Sequence, residues 1–165
     1  MTVSAQGVES LARDVQHSAT SGSQLSPMDD RYQNVSAGGI RWNYRRSDEA
    51  SGDKPKLLLL HGTGAGIHSW DGLWRVLEHH FQLLAPDLPG HCASVAPDNW
   101  RPGLEPMASA LRALLNTTHF SPDLVVGHSA GAALAAQLAL DEAISPRALI
   151  AINGAFMPYG GPAAS

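Results

Sequence analysis

The chain has 165 residues, of which 44% are hydrophobic, 16% charged and 6% aromatic, and its formal net charge is −4. With 11 Lys and Arg against 15 Asp and Glu, it lacks the basic excess that follows a phosphate backbone, so nucleic acid is not an expected partner. Its one cysteine excludes an internal disulfide and a Cys-based zinc cluster. No apolar run approaches the ~20 residues of a transmembrane segment, and the N-terminus lacks a signal-peptide pattern. We therefore expect a globular, cytoplasmic protein.

The first 30 residues differ in composition from the rest of the chain. Residues 18–24 are small and polar, and Pro27 follows them. A segment of this kind buries too little apolar surface to offset the entropy lost on ordering it. We predict a disordered tail over residues 1–30 and an ordered domain that begins at Arg31.

The ordered part alternates between strand-like and helix-like segments. Residues 32–35 and 40–44 alternate in polarity around a Gly-Gly turn, which predicts a β-hairpin. Further strands are predicted at residues 56–60, 81–86, 123–126 and 148–152, with helices at residues 68–80, 107–115 and 130–140. Short apolar strands that alternate with helices indicate parallel βαβ units. The predicted fold is therefore α/β, with a mostly parallel sheet and an N-terminal antiparallel hairpin.

A serine flanked by glycines lies between an apolar strand and a small-residue helix. Residues 127–131 have the form G-x-S-x-G, which holds a serine on a sharp strand-to-helix turn above the sheet. Gly127 and Gly131 leave room for backbone that passes close by. We predict Ser129 as a nucleophile; the alternative is a structural serine, because short motifs of this kind also arise by chance. His128 adjoins Ser129 in the chain, but successive side chains diverge at a strand end, so we expect His128 to be a packing residue.

A glycine-rich loop follows the predicted strand at residues 56–60. Gly62 and Gly64 at the end of a strand bring backbone N–H groups into the crevice where open α/β sheets bind ligands. In acyl transfer, two such donors form an oxyanion hole. We assign them to the N–H groups of Thr63 and of Ala130, the residue after the predicted nucleophile.

A dinucleotide-binding loop is the alternative interpretation of the same glycines. Gly62, Gly64 and Gly66 are spaced G-x-G-x-G rather than G-x-G-x-x-G, and Asp87 is the only acidic residue at a suitable strand end. A phosphate-binding P-loop is excluded because no Lys-Ser or Lys-Thr closes the motif. We therefore predict neither a cofactor nor a metal ion.

The order of three motifs carries a family resemblance. His61-Gly62, the Asp-Leu-Pro-Gly-His turn at residues 87–91 and the elbow at residues 127–131 follow one another at successive strand ends. This arrangement resembles the α/β-hydrolase fold superfamily. Four segments together resemble, more narrowly, the magnesium-chelatase accessory proteins of bacteriochlorophyll biosynthesis: residues 61–70, 126–133, 152–155 and 158–163. Cys92 departs from that pattern, since such turns carry Gly or Ala there, and we expect a buried, unreactive thiol.

A serine nucleophile needs a base and an acid that orients the base. In the superfamily that the chain resembles, they follow the serine in the order Asp or Glu, then His. After Ser129 the only acids are Asp141 and Glu142, and no histidine follows. We therefore expect residues 31–165 to be the N-terminal part of an α/β-hydrolase domain, ending after about the sixth strand, without the cap, acid and histidine regions. The remaining candidates for a base are histidines that precede the serine: His61, His68 and His91.

Two functions from different classes remain open, because a fold does not fix a function. The first is a serine hydrolase for an ester, thioester or amide, with little turnover by this chain alone. The second is a non-catalytic accessory protein that binds a porphyrin intermediate or a magnesium-chelatase subunit. The expected partners are accordingly a small acyl or tetrapyrrole molecule and, among proteins, magnesium-chelatase subunits. The strand at residues 148–152 is expected to present an open sheet edge, which promotes association.

Overall fold

The computed structural model describes residues 31–47 and 53–154. The predicted tail at residues 1–30 and the family-like segment at residues 158–163 lie outside the described residues.

Six strands form one mixed sheet in the described part of the chain, in the order β1-β2-β4-β3-β5-β6. They are β1 (Tyr32–Ala37), β2 (Ile40–Arg46), β3 (Lys56–Leu60), β4 (Gln82–Pro86), β5 (Leu124–His128) and β6 (Ala148–Ile152). β2 runs antiparallel to both β1 and β4, whereas the pairs β3–β4, β3–β5 and β5–β6 are parallel. The predicted α/β class, N-terminal hairpin and parallel sheet are confirmed.

Three helices of the described ranges flank this sheet: α1 (Asp71–Leu77), α2 (Leu104–Thr117) and α3 (Ala130–Leu140). The helix predicted at residues 68–80 is divided, since a 3-10 turn (Ile67–Trp70) precedes α1. The N–H of Ile67 donates to the carboxylate of Asp87, which fixes the entry to this turn. α2 begins earlier than predicted and includes Pro106 in its first turn, where the missing N–H has no helical partner to lose. None of the helices in the described ranges combines the length and apolar character needed to cross a membrane.

Strand β3 shows why its sequence is continuously apolar. Successive side chains of a strand point to opposite faces of the sheet, and both faces are covered here. Leu57 and Leu59 pack with Trp74 of α1, whereas Leu58 and Leu60 join the core formed with α2 and α3. All four leucines are at most 3% exposed. β3 is thus rigidly buried, and the glycine-rich loop leaves from its end.

Strand β6 lies at one edge of the described sheet and pairs there only with β5. Its side chains Ile150 and Ile152 are 48% and 39% exposed. The predicted open edge at this strand is therefore present among the described residues.

Candidate active site

Ser129 occupies a strained position between β5 and α3. Its φ of 52° and ψ of −116° lie in a backbone region that residues other than glycine rarely adopt, and this conformation costs about 1–3 kcal/mol. The N–H of Ser129 donates to the carbonyl of Ile152 at 2.9 Å, and its own carbonyl accepts from the N–H of Ala132 at 3.0 Å. Hydrogen bonds to β6 and to α3 therefore hold the strained residue from both sides.

The two glycines that flank Ser129 are required by close backbone contacts. A Cβ on Gly127 would lie 2.5 Å from the Cα of Ala132. A Cβ on Gly131 would collide with the carbonyl of Leu60 and lie 2.6 Å from the carbonyl of His61. The start of α3 thus rests directly on the end of β3, with no space for a methyl group between them.

The glycine-rich loop after β3 lies against the Ser129 turn. A Cβ on Gly62 would lie 3.0 Å from both the Cβ of Ser129 and the Nδ1 of His128. Gly62 is buried, whereas Thr63 and Gly64 are exposed, and Gly64 turns the loop outward at a φ of 74°. The fold therefore brings together two motifs that are more than 60 residues apart in the chain.

The N–H groups of Thr63 and Ala130 donate to no acceptor within residues 31–47 and 53–154. Ala130 is the first residue of α3, and the N–H groups of a first helical turn have no partner within the helix. The positive end of the α3 dipole adds a favourable field for a negative charge at this place. The two predicted oxyanion donors thus meet no acceptor in the part of the chain that the structure describes.

His61 is fully buried and uses both ring nitrogens. The N–H of Leu88 donates to Nε2 at 2.9 Å, and Nδ1 lies 2.8 Å from the carbonyl of Gly62. Since Nε2 accepts, Nδ1 carries the proton and donates. Burial lowers the pKa of His61, partly offset by the bond to Gly62, so the neutral ring is favoured. His61 has no nitrogen left to accept a proton from Ser129, which removes it from the candidate bases.

The other two histidines considered as bases, His68 and His91, have different surroundings. The Nδ1 of His91 lies 3.2 Å from the carbonyl of Pro89, and its ring packs edge-on against His61 at 5.3 Å between centroids. His68 is exposed on the wall of a cavity of about 340 Å³ that Asp87 also lines. No side chain of the described residues hydrogen-bonds to the hydroxyl of Ser129.

His128 contributes to a smaller cavity beside the Ser129 turn. It is half-buried, packs against Gly62 and also faces a space of about 210 Å³. The walls of this cavity are formed by His61, Ala65, Ser69, Trp70, His128 and Ile152. His128 thus lies close to Gly62, and its ring also faces this cavity.

The two acids that follow Ser129 lie at the wrong end of α3. At 1.5 Å per residue, a helix of this length places Asp141 and Glu142 about 16 Å from the serine turn. Asp141 instead accepts a hydrogen bond of 2.7 Å from the side chain of Gln137. Neither carboxylate can orient a base beside Ser129.

Comparison with known proteins settles the family. The sequence profile of the alpha/beta hydrolase fold family matches residues 55–160. The chain belongs to the α/β-hydrolase fold family. This hydrolase-fold chain is 43% identical over 116 residues to the magnesium-chelatase 30 kDa subunit of Rhodobacter capsulatus, covering 70% of the chain and 40% of that protein. It is also 34% identical over 103 residues to the lipase LipV of Mycobacterium tuberculosis, covering 61% of the chain and 37% of that protein.

A solved structure shares the same architecture. An alpha/beta hydrolase fold protein from Burkholderia ambifaria matches with a TM-score of 0.69 at 26% identity, covering 82% of this chain and 49% of that one. The hydrolase-fold chain therefore spans less than half the length of each of these three relatives. The resemblance drawn from the motif order is confirmed, both for the hydrolase fold and for the magnesium-chelatase relative.

Asp87 has a larger role in this hydrolase-fold domain than its place in a turn suggested. It is 3% exposed, and its carboxylate accepts from the N–H of Ile67 at 2.9 Å, the side-chain amide of Asn43 at 2.8 Å and the N–H of Ala93 at 3.2 Å. One buried carboxylate thus joins β2, the glycine-rich loop and the turn after β4. An acid directly after a buried apolar strand was the only sequence signal for it.

Cys92 corrects one expectation. It is exposed rather than buried, and its φ of 46° lies in the left-handed region that favours glycine. Its Sγ lies 2.5 Å from where a Cβ on Gly66 would be, on the wall of the larger cavity. Desolvation and the nearby Asp87 raise the pKa of the Cys92 thiol, which favours its unreactive, protonated form.

In the described part of this hydrolase-fold chain, no cluster of three or more His, Cys, Asp or Glu is arranged to hold a metal ion.

Proposed function

We propose that this chain carries the nucleophile and the oxyanion hole of a serine hydrolase that acts on an ester, thioester or amide. The observation that carries the proposal is the contact between two distant motifs: the Gly62 loop lies against the strained Ser129 turn. The N–H groups of Thr63 and Ala130, which flank this contact in sequence, are free of protein acceptors in the described residues.

In the proposed reaction, the hydroxyl oxygen of Ser129 attacks the carbonyl carbon of the substrate. The hydroxyl proton passes to a base, and the carbonyl oxygen becomes an oxyanion that accepts hydrogen bonds from Thr63 and Ala130. Removal of one such donor raises a barrier by roughly 3 kcal/mol. When the tetrahedral intermediate collapses, the base gives its proton to the leaving group, the bond between that group and the carbonyl carbon breaks, and an acyl-serine remains for hydrolysis by water.

The base and its orienting acid are proposed to lie in sequence beyond these 165 residues. Two observations support this: both ring nitrogens of His61 are occupied, and Asp141 lies at the far end of α3. The acyl group is proposed to enter the cavity of about 210 Å³ beside Ser129, which includes the apolar side chains of Trp70 and Ile152.

A fluorophosphonate probe tests this proposal on the full-length protein. We expect mass spectrometry to find one phosphonyl adduct, on the peptide that contains Ser129, and none in Ser129→Ala. Ser69→Ala is the matched control, because Ser69 is an exposed serine on the same cavity and its loss should leave labelling unchanged. Failure of Ser129 to react in the wild type would exclude the hydrolase proposal.

A second candidate function is non-catalytic binding of a porphyrin intermediate or of a magnesium-chelatase subunit. The 43% identity to the magnesium-chelatase 30 kDa subunit favours it. Titration of the protein into protoporphyrin IX tests the porphyrin version: a saturable shift of the Soret absorbance, unchanged in Ser129→Ala, would support it. An unshifted spectrum at saturating protein would exclude porphyrin binding, and co-elution with purified magnesium-chelatase subunits tests the protein-binding version separately.

A further inference from the structure

The carbonyl of Gly62 is held by two hydrogen bonds. The Nδ1–H of His61 donates to it at 2.8 Å, and the N–H of Ala65 donates to it at 3.2 Å. This carbonyl belongs to the same planar peptide unit as the N–H of Thr63. Any group that fixes the direction of the Gly62 carbonyl therefore fixes the direction of the Thr63 N–H as well.

The direction in which the Thr63 N–H points follows from the peptide geometry. The described residues contain no cis peptide bond, so the peptide between Gly62 and Thr63 is trans. In a trans unit the C=O and N–H bonds point in opposite directions. Because the carbonyl faces the ring of His61, the N–H of Thr63 faces away from it and meets no acceptor among the described residues.

The ring of His61 is itself set by a different strand. The N–H of Leu88, in the turn that follows β4, donates to Nε2 at 2.9 Å. Nε2 must then be unprotonated, and the ring proton is confined to Nδ1, where it meets the Gly62 carbonyl. A chain of hydrogen bonds therefore runs from the β4 turn through His61 to the Gly62–Thr63 peptide.

We infer that His61 is a positioning residue for the oxyanion hole, which orients the Thr63 N–H through the Gly62 carbonyl in a ring tautomer selected by Leu88. The inference rests on the proposed function, since it gives Thr63 the role of an oxyanion donor. It assigns to His61 a task other than that of a base. It also makes the orientation of Thr63 sensitive to protonation of a buried ring.

Protonation of the His61 ring would break this arrangement. A charged imidazole carries a proton on Nε2 as well, which would face the donor N–H of Leu88. The ionisable groups near the ring are His91, whose ring packs edge-on against it, Asp87 and His68. The two histidines disfavour a charged ring and Asp87 favours it, while burial is the largest influence and lowers the pKa of His61.

Nitrogen NMR on ¹⁵N-labelled protein tests the inference without requiring any reaction at Ser129. We expect the His61 ring to show a protonated Nδ1 and an unprotonated Nε2 at pH 7. On acidification, the amide signal of Thr63 should shift with the same midpoint as the His61 ring, below pH 6.5. A protonated Nε2 at pH 7, or a Thr63 signal that does not follow the ring, would overturn the inference.

Two variants add a functional measurement on the full-length protein. His61→Gln keeps one donor and one acceptor on the side chain, whereas His61→Leu removes both. We expect the fluorophosphonate labelling rate of Ser129 to fall at least ~10-fold in His61→Leu, towards the ~10²–10³-fold loss seen when an oxyanion donor is removed, with partial rescue in His61→Gln. Equal rates in folded His61→Leu and wild type would contradict the inference.

The two proposals fail in distinguishable ways. If Ser129 remains unlabelled while the His61 tautomer and the Thr63 coupling are as expected, only the proposed function fails. If Ser129 is labelled while the His61 ring carries its proton on Nε2, only the positioning role fails.

Discussion

The backbone N–H of Ser129 donates a hydrogen bond of 2.9 Å to the carbonyl of Ile152, the last residue of β6. The turn that carries the proposed nucleophile is therefore tied to the edge strand of the described sheet. The strained φ of 52° at Ser129 is maintained by this bond together with the close contact of α3 on β3. Strain that persists because its surroundings fix it is typical of functional sites.

Replacement of Ser129 by glycine should stabilise the protein relative to replacement by alanine. Alanine retains a Cβ at a φ of 52°, whereas glycine relieves the ~1–3 kcal/mol of strain and loses about 0.5–1 kcal/mol through greater freedom of the unfolded chain. We expect Ser129→Gly to be about 1 kcal/mol more stable than Ser129→Ala in urea unfolding. Identical midpoints for the two variants would show that the strain does not exceed the ~0.5–1 kcal/mol cost of glycine.

Gly131→Ala should be strongly destabilising, because the new methyl group would collide with the carbonyl of Leu60. A collision with backbone is relieved only by moving α3 away from β3, at a cost of about 2–3 kcal/mol or more. Gly72→Ala in α1 is the matched control, since its Cβ would meet nothing within 4 Å and alanine favours a helix by ~1 kcal/mol. The measurement is chemical unfolding of both variants, and a tolerated Gly131→Ala would contradict the close contact.

Asp87→Asn should destabilise the protein by about 2–4 kcal/mol. An amide presents one acceptor oxygen where the carboxylate presents two, so at least one of the donors from Ile67, Asn43 and Ala93 is left unpaired in a buried site. A double-mutant cycle with Asn43→Ala isolates one of these bonds and should give a coupling of about 1 kcal/mol or more. Additive effects would mean that Asp87 and Asn43 stabilise the fold independently.

Stability should fall as the pH drops below 6.5, and His61 should account for part of that fall. The pKa of His61 is lowered from 6.5 in the folded state, so between its folded pKa and 6.5 the unfolded chain binds more protons. The free energy of unfolding therefore rises with pH across this window and becomes flat, for this group, above about pH 6.5. Urea midpoints between pH 5 and pH 8 measure this dependence.

His61→Gln is the control for that pH dependence, because it removes the titrating ring and retains a donor and an acceptor. The difference in unfolding free energy between wild type and His61→Gln should change with pH below 6.5. A constant difference over the whole range would show that His61 does not contribute to the pH dependence.

Turnover by the 165-residue chain should be very low. Oxyanion-hole and binding contributions without the other triad members retain at most roughly 10³–10⁴ over the reaction in water. Hydrolysis of a p-nitrophenyl ester should therefore exceed the uncatalysed rate by no more than that factor, far below the rate of an enzyme with a complete triad. Rapid hydrolysis that disappears in Ser129→Ala would show that a base within this chain serves Ser129.

The parts of the fold and site that follow local patterns could be predicted from the sequence. The apolar run Leu57–Leu60 predicted a strand of a parallel sheet, and the G-x-S-x-G motif placed Ser129 in a strand-to-helix turn. Both signals depend on neighbouring residues alone, through side-chain alternation and the steric freedom of glycine.

The contacts that join distant loops could not be predicted in this way. The hydrogen bond from Leu88 to His61 spans 27 residues, and the one from Asn43 to Asp87 spans 44. The sequence periodicity does not indicate such hydrogen-bonded pairs, because they depend on how the strand ends are arranged in the sheet. The exposure of Cys92 could not be predicted for a related reason, since it depends on how the turn after β4 lies against the rest of the fold.

A crystal structure of the full-length protein after phosphonylation tests the central claim most directly. We predict one adduct on the Oγ of Ser129, with its phosphoryl oxygen about 2.7–3.1 Å from the backbone nitrogens of both Thr63 and Ala130. An adduct on another residue, or a phosphoryl oxygen that contacts neither N–H group, would contradict the assignment of nucleophile and oxyanion hole.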